Sequence, residues 1–315
     1  MKIILFGYSG FLGSHILSEL VKYLKKSNKF DLVCVGRNIS YQPFKNKKIN
    51  YVKWNFNDFT KTKLHFLDKE NIIINCVGKN FSSEENLNKI NVLFVKKLIN
   101  FVQYNKLIIR LIHLGSVSIY GAEKKYLNKV VNISENSQIN PHDSYSKSKM
   151  ESEFCIRNFS KNNRKNFSFT ILRIANVFSD SKNPNSFKLI KFLLNNGIWF
   201  KCSNHTNYHY IHAKDIAFAV KLCILNLKKS KDKIYILSDD INQYLLHKMF
   251  STRKIFKLLK IPVSLKLVNL TLKHIPLPRI ILNFFLTISS QVNYDNQKIK
   301  KELNFKTINS LRKKF

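Results

Sequence analysis

Acidic residues, glycine, cysteine and long apolar runs are all scarce in this chain, and each scarcity excludes something. Asp and Glu number 19 against 54 Lys and Arg in 315 residues, a formal charge of +35. Lysine far outnumbers arginine and is spread along the whole length among abundant Asn, Ile, Phe and Tyr, as an AT-rich coding sequence would impose. Charge dispersed in this way reads as a solvated basic surface, so no nucleic-acid partner is expected. The five cysteines, Cys34, Cys76, Cys155, Cys202 and Cys223, are far apart and form no CxxC pair, which speaks against a disulfide framework or a zinc site and for a reducing cytosol. Met1 to Gly7 lacks the anatomy of a signal peptide. The stretch Ile280 to Ile288 falls far short of the roughly 18 apolar residues that a spanning helix needs. A cytoplasmic protein with no integral membrane segment is expected.

Average usage would give about 22 glycines, yet there are 8. Gly7, Gly10 and Gly13 cluster, Gly36, Gly78, Gly115 and Gly121 each end an apolar run, and Gly197 lies beyond them. In a composition this poor in glycine, the survivors mark places where backbone geometry or a close approach demands them.

What remains is enough to build a core: 44% of residues are hydrophobic and 23% charged. Apolar runs at Lys2 to Phe6, Asp31 to Val35, Ile72 to Val77, Leu107 to Leu114 and Phe167 to Ile174 read as strands. Between them, Ser14 to Leu24, Asn88 to Tyr104 and Tyr145 to Phe159 carry apolar residues at helical spacing. Strands alternating with amphipathic helices predict an α/β fold, a doubly wound parallel sheet buried on both faces. Residues 1–176, with 207–237, are expected to form this Rossmann-type domain. Residues 177–206 and 238–315, where proline punctuates Leu- and Lys-rich segments, are expected to form a smaller discontinuous substrate lobe.

Gly7-Tyr8-Ser9-Gly10-Phe11-Leu12-Gly13 directly follows the first strand and opens a helix, the context that makes a GxxGxxG string a dinucleotide-binding candidate. Its glycines permit a tight turn, close backbone approach to pyrophosphate and helix-on-strand packing, while the helix N-terminus favours phosphate. The second strand ends Val35-Gly36-Arg37-Asn38, with a cation where an NAD site would usually place an acid, so NADP(H) is preferred and NAD(H) remains open. Tyr145 and Lys149 are spaced i, i+4 on one helical face, where an ammonium favours the phenolate. Ser116, just past Gly115, offers a hydroxyl to the oxygen that the tyrosine would protonate.

Taken in order, Gly7/Gly10/Gly13, Asn75-Cys76-Val77-Gly78, Asn91, Ser116 to Gly121 and Tyr145/Lys149 resemble the extended short-chain dehydrogenase/reductase superfamily, specifically its NAD-dependent epimerase/dehydratase family of sugar-nucleotide enzymes. Leu172 to Val177 is similar to the family's LRxxNV strand, Tyr210 to Asp215 to its YIHVxD segment, and Tyr294 to Phe305 to its DxxKxxxxLGF element. The resemblance implies a catalytic triad of Ser116, Tyr145 and Lys149. It implies cofactor contacts from Gly7, Ser9, Gly10, Phe11, Leu12, Gly13, Arg37, Asn55, Phe56, Cys76, Val77, Asn91, Tyr145 and Lys149. Substrate contacts would come from Lys79, Ser116 and Asn176, with no metal and with a homodimer formed through the helices around Asn91 to Tyr104 and Tyr145 to Phe159.

Three departures limit the resemblance. The Asp-Glu pair that dehydratases carry after the hydroxyl residue is Val117-Ser118 here, which disfavours dehydration. The family's diphosphate-binding Arg appears as Tyr208, and the Gly after its LRxxNV strand as Ser179. His209 and His212 are expected to be packing or surface residues, since no third ligand is suitably spaced. The expectation is an NAD(P)-dependent oxidoreductase of nucleotide sugars, favoured as a 4-keto-sugar reductase. A 4-epimerase with tightly bound NAD, or a non-catalytic scaffold on the same fold, are the alternatives.

Overall fold

The apolar runs become the strands of one parallel sheet. The computed structural model describes residues 2–24, 30–54, 67–80, 82–122, 129–181, 183, 185–201, 205–239, 241–242, 259–262, 264, 285–286 and 289–310. In chain order its elements begin with β1 (Lys2–Phe6), α1 (Phe11–Leu24), β2 (Asp31–Gly36), β3 (Ile49–Lys53) and β4 (Glu70–Asn75). There follow α2 (Glu84–Leu87), a π-helical turn Asn88–Leu93, α3 (Phe94–Tyr104), β5 (Ile108–Ser116), a 3₁₀ turn Val117–Tyr120, β6 (Val131–Ile133) and α4 (Ser144–Asn162). Next come β7 (Phe167–Ile174), β8 (Asn176–Phe178), α5 (Asn185–Asn195), β9 (Ile198–Lys201), β10 (Asn207–Tyr208), β11 (Tyr210–His212), α6 (Ala213–Leu225) and β12 (Lys233–Leu237). The described chain closes with β13 (Ile241–Asn242), β14 (Leu259–Pro262), β15 (Val292–Tyr294) and α7 (Gln297–Leu303).

The main sheet has seven strands in the order β12-β7-β5-β4-β1-β2-β3, and every pairing in it is parallel. Successive side chains of a strand point to opposite faces. Along β1, Ile3 and Leu5 therefore join the core beneath α1 and α6, while Ile4 and Phe6 join the core beneath α3 and α4. Burial on both faces is why these strands read as unbroken apolar runs rather than alternating ones.

Two elements differ from the sequence reading. The edge strand β3 lies where the sequence marks no strand: INYVK is partly exposed, and an edge strand has little apolar signal to give. Strand β5 does not stop before Gly115 but runs through Gly115 and Ser116, paired to Arg173 and Ile174 of β7.

The C-terminal segment assigned from sequence to the lobe contributes to the sheet's own core. Strand β15 pairs in parallel with β6, and Val292, Tyr294, Ile299, Leu303 and Phe305 are buried in the α1/α6 core. Asp215, at the start of α6, accepts hydrogen bonds from the backbone of Ile308 and Asn309 (3.1 and 3.2 Å) and from the Asn309 side chain (2.8 Å), tying this tail down. In the LGF-like element Asn304 adopts φ +54°, a left-handed conformation that Asn tolerates where the family pattern has glycine.

Strand order reverses between β1 and β4, the point in a doubly wound sheet where ligands meet the carboxyl ends of the strands. That places the turn after β1, the Cys76–Gly78 loop after β4 and Ser116 at the end of β5 along one edge.

Candidate active site

Gly7 has φ +78°, and a Cβ there would lie 3.1–3.2 Å from the Cys76 and Val77 backbone. At Gly13 a Cβ would lie 2.1 Å from the Gly7 carbonyl, so the first turn of α1 sits directly against the end of β1. This is a cradle that side chains would fill, and the first backbone N–H groups of α1 have no partner within the helix. Ser9 and Gly10 are exposed at its rim, with Phe11 and Leu12 partly buried behind them. A dinucleotide pyrophosphate fits such a donor set. Arg37 is exposed at the end of β2; Asn55 and Phe56 lie outside the described residues.

Asn91 faces inward from the π-helical turn. Its Oδ1 accepts from the Lys79 N–H (2.9 Å), and its Nδ2 donates to the Lys79 carbonyl (3.0 Å) and to Ser148 Oγ (2.9 Å). It thus pins the loop after β4 to α4 and spends its amide on the protein, leaving exposed Lys79 and Gly78 at the edge. Ser148 Oγ in turn donates to the Tyr145 carbonyl (2.7 Å).

The start of α4 is set by a capping box in which Asp143 accepts from the Ser146 N–H (2.7 Å) and the Ser146 hydroxyl accepts from the Asp143 N–H (3.1 Å). Tyr145 consequently stands in the first turn, with its hydroxyl in the neighbourhood of Ser116. Burial raises the Tyr145 pKa, the nearby Ser116 hydroxyl lowers it in part, and Asp143 adds to the rise, so the phenol is protonated at neutral pH. Ser116 Oγ also accepts from the Ser118 N–H at 3.2 Å, which fixes its position.

Lys149, one turn further along α4, is 6% exposed. Its Nζ donates to the Leu114 carbonyl at 2.9 Å, and Gly78 keeps the space above it open, since a Cβ there would lie 3.3 Å from Nζ. Burial lowers its pKa from 10.5 to about 8, against the opposing pull of Glu153 and Cys76. The folded state therefore binds fewer protons at this site than the unfolded chain between those two values, and stability rises with pH across that window. Lys149→Met is expected to stabilise the protein at pH 7 by on the order of a few kcal/mol and to flatten the rise between pH 8 and 10.5. Urea denaturation of both proteins from pH 7 to 10.5 checks it, and an unchanged slope would refute it.

Beneath these groups runs a buried polar chain with one consistent direction. The Asn75 Oδ1 accepts from the Val77 N–H at 2.9 Å, and its Nδ2 meets His113 Nδ1 at 3.1 Å. The amide nitrogen can only donate, so His113 Nδ1 accepts and the proton resides on Nε2, which faces Ser152 Oγ at 3.3 Å. Ser152 Oγ then donates to the Lys149 carbonyl at 2.8 Å. Burial and the nearby Lys149 hold His113 neutral, well below the usual histidine range. His113, Ser152 and Glu153 carry no signal in the sequence, where His113 lies inside an apolar run and Ser152 and Glu153 are two among the many polar residues of their helix. Gly115 was the available signal, because glycine within a strand marks a close approach, and a Cβ there would lie 2.6 Å from Glu153 Oε1.

Residues 3–237 match the family described as NAD dependent epimerase/dehydratase. The chain belongs to this family. A curated relative, the dTDP-D-glucose 4,6-dehydratase of Dictyostelium discoideum, is 25% identical over 244 residues, 71% of this chain. The chain spans about half, 55%, of that relative's length. Among solved structures, the UDP-glucuronic acid 4-epimerase of Bacillus cereus in complex with NAD has the same fold with a TM-score of 0.68 and 17% identity, covering 99% of this chain and 95% of that one. The dTDP-glucose 4,6-dehydratase of Bacillus anthracis in complex with NAD gives 0.67 and 15%, covering 99% and 93%.

In this family member the remaining motif positions divide between the edge of the sheet and its interior. Asn176 is exposed at the start of β8, just past the carboxyl end of β7. Tyr208, where the family pattern has an arginine, is buried against Tyr210 (ring centroids 6.4 Å apart), and Ser179 is buried as well. His209 is hydrogen-bonded to Ser290 Oγ (2.7 Å), and His212 Nδ1 caps α6 by accepting from the Lys214 N–H (3.1 Å). Among the described residues no cluster of three His, Cys, Asp or Glu could hold a metal, and no helix is long and apolar enough to cross a membrane.

Proposed function

We propose that the protein moves hydride between a nicotinamide dinucleotide and a carbon of a nucleotide-linked sugar, as a 4-keto-sugar reductase that uses NADPH. The observation that carries this reading is the grouping of Ser116, Tyr145 and buried Lys149 at the carboxyl edge of the sheet, next to the glycine cradle. When bound, the nicotinamide supplies the hydride. Tyr145, a protonated phenol in this setting, gives its proton to the sugar oxygen, while Ser116 Oγ orients that oxygen. The Lys149 ammonium favours the phenolate left behind. Gly7, Ser9, Gly10, Phe11, Leu12 and Gly13 receive the pyrophosphate, and Cys76 and Val77 face the dinucleotide from the β4 loop. Asn91 supports that loop through Lys79. Lys79 and Asn176, exposed at the same edge, are assigned to the nucleotide-sugar.

Arg37 supports the phosphorylated cofactor, since it follows β2 where no acid is present. A second reading, a 4-epimerase with tightly held NAD, is favoured by the fold shared with the UDP-glucuronic acid 4-epimerase. Dehydration is disfavoured because Val117, buried in the 3₁₀ turn after Ser116, stands where proton chemistry would need a carboxylate. A homodimer would use α3 and α4, near which Leu93 and Phe154 are exposed.

Absorbance and fluorescence of the purified protein, followed by titration with NADPH and NADH, test the reading. Selective, reversible NADPH binding is expected, and Arg37→Asp should weaken NADPH roughly ten- to a hundredfold more than NADH. Co-purified NAD would move the assignment to the epimerase; binding of neither nucleotide would favour a scaffold.

A further inference from the structure

Tyr8 interrupts the glycine-rich turn with a large ring, and the ring is not at the surface. It is 0% exposed. It stacks on Tyr41 with centroids 6.3 Å apart at 19°, lies 5.4 Å from the Tyr51 ring, and its hydroxyl donates to the Asn38 carbonyl at 3.2 Å. Gly36, the last residue of β2, faces it: a Cβ at position 36 would lie 2.9 Å from Tyr8 Cε1 and 3.4 Å from Cδ1. The positive-φ glycines are Gly7, Gly121 and Gly197, so the backbone at Gly36 would accept any residue. What demands glycine there is the tyrosine. Tyr51 and the hydroxyl bond hold the ring in place, so it can make room only by displacing Tyr41, its exposed stacking partner.

In dinucleotide folds the end of the second strand presents the acidic side chain that accepts from the adenosine ribose 2′-hydroxyl; β2 ends at Gly36, so the structure puts that position at 36, one residue before the Arg37 that the sequence suggests. Resting on the dinucleotide reading above, we propose that Tyr8 is a specificity-determining residue. Its ring fills the volume that a carboxylate side chain at position 36 would need. Tyr8 and Gly36 together bar the 2′-hydroxyl acceptor and leave Arg37, the next residue, to meet a 2′-phosphate. The preference is thereby a coupled property of the first turn and the second strand, and converting it takes two changes.

The test is a double-mutant cycle of the unaltered chain, Tyr8→Ala, Gly36→Asp and the double variant, each titrated with NADPH and NADH by nicotinamide fluorescence and each melted thermally. Gly36→Asp alone should lower the Tm and weaken both nucleotides. The double variant should recover Tm relative to Gly36→Asp and bind NADH at least about tenfold more tightly than it does, a difference of roughly 1.4 kcal/mol that Tyr8→Ala alone does not produce. Gly36→Ala, which adds the Cβ alone, repeats the stability arm: it should lower Tm in the chain that keeps Tyr8 and leave Tm unchanged in the Tyr8→Ala background. Gly36→Asp gaining NADH affinity as fully as the double variant, or additive Tm shifts in both arms, would overturn the assignment with the dinucleotide reading intact. An unaltered chain that binds neither nucleotide would overturn that reading itself.

Discussion

Tyr145→Phe is expected to lower kcat by about 10²- to 10⁴-fold, the usual share of a positioned acid or base, while NADPH affinity changes by less than about twofold, since the loss of one hydroxyl leaves the glycine cradle untouched. The expectation follows from the surroundings of one oxygen. The Tyr145 hydroxyl lies near Ser116, and Ser116 remains anchored by the Ser118 N–H after the hydroxyl is gone. Tyr145 itself stays in the first turn of α4 because the Asp143–Ser146 capping box, not the hydroxyl, sets the helix start. The variant therefore isolates proton transfer from architecture. Stopped-flow reduction of a 4-keto nucleotide sugar, alongside an NADPH titration, separates the two effects. Unchanged turnover would remove Tyr145 from the mechanism, and a parallel loss of NADPH binding would recast it as a cofactor-binding residue.

The parts of this arrangement that sequence could show are those with a periodic or spaced signature. The apolar runs that became β1, β2, β4, β5 and β7 are continuous because both faces of the sheet are covered. Tyr145 and Lys149 announce themselves by i, i+4 spacing. The glycine cluster stands out because glycine is so rare elsewhere. Long-range polar pairings have no such signature. Asn75 and His113 are 38 positions apart, and Arg173 and Glu153 are 20 apart, so their contacts follow from the register of β4, β5 and β7 and the seat of α4 rather than from any local pattern. Tyr8 illustrates the same limit: within GYSGFLG it reads as an unremarkable variable position, and its meaning lies in Gly36, brought beside it by the β1–β2 pairing. Asn91 shows a subtler divergence, since its motif position marks it for the cofactor while its amide is spent bracing Lys79 and Ser148.

The other large effect is expected in stability, from the ion pair inside the sheet–helix interface. Arg173 and Glu153 are 1% and 2% exposed. The guanidinium donates to Glu153 Oε2 from Nη2 at 2.9 Å and from Nε at 3.1 Å, to the Tyr120 hydroxyl at 2.6 Å and to the Glu135 carbonyl at 3.0 Å. Every partner comes from a different element, so the arginine joins β7, α4, the 3₁₀ turn after Ser116 and the segment after β6. Burial nevertheless outweighs the pairing at the carboxylate, whose pKa is held above the ordinary glutamate range. At Arg173 the balance is reversed and the pairing outweighs burial, so the two directions do not rank one effect above the other. For an ion pair removed from water, desolvation generally offsets much of the Coulombic gain, and the pair is required chiefly because neither charge can be left alone. Glu153→Ala should therefore cost about 3–5 kcal/mol by stranding the guanidinium, whereas Glu153→Leu combined with Arg173→Met should cost distinctly less than either single change. Urea unfolding of Glu153→Leu, Arg173→Met and their combination, alongside Glu153→Ala, measures this directly. Losses that simply add would mean that the two side chains act independently. Subadditive losses would identify the network as a device that fixes how α4, and with it Tyr145 and Lys149, seats on β5, at little net gain in stability.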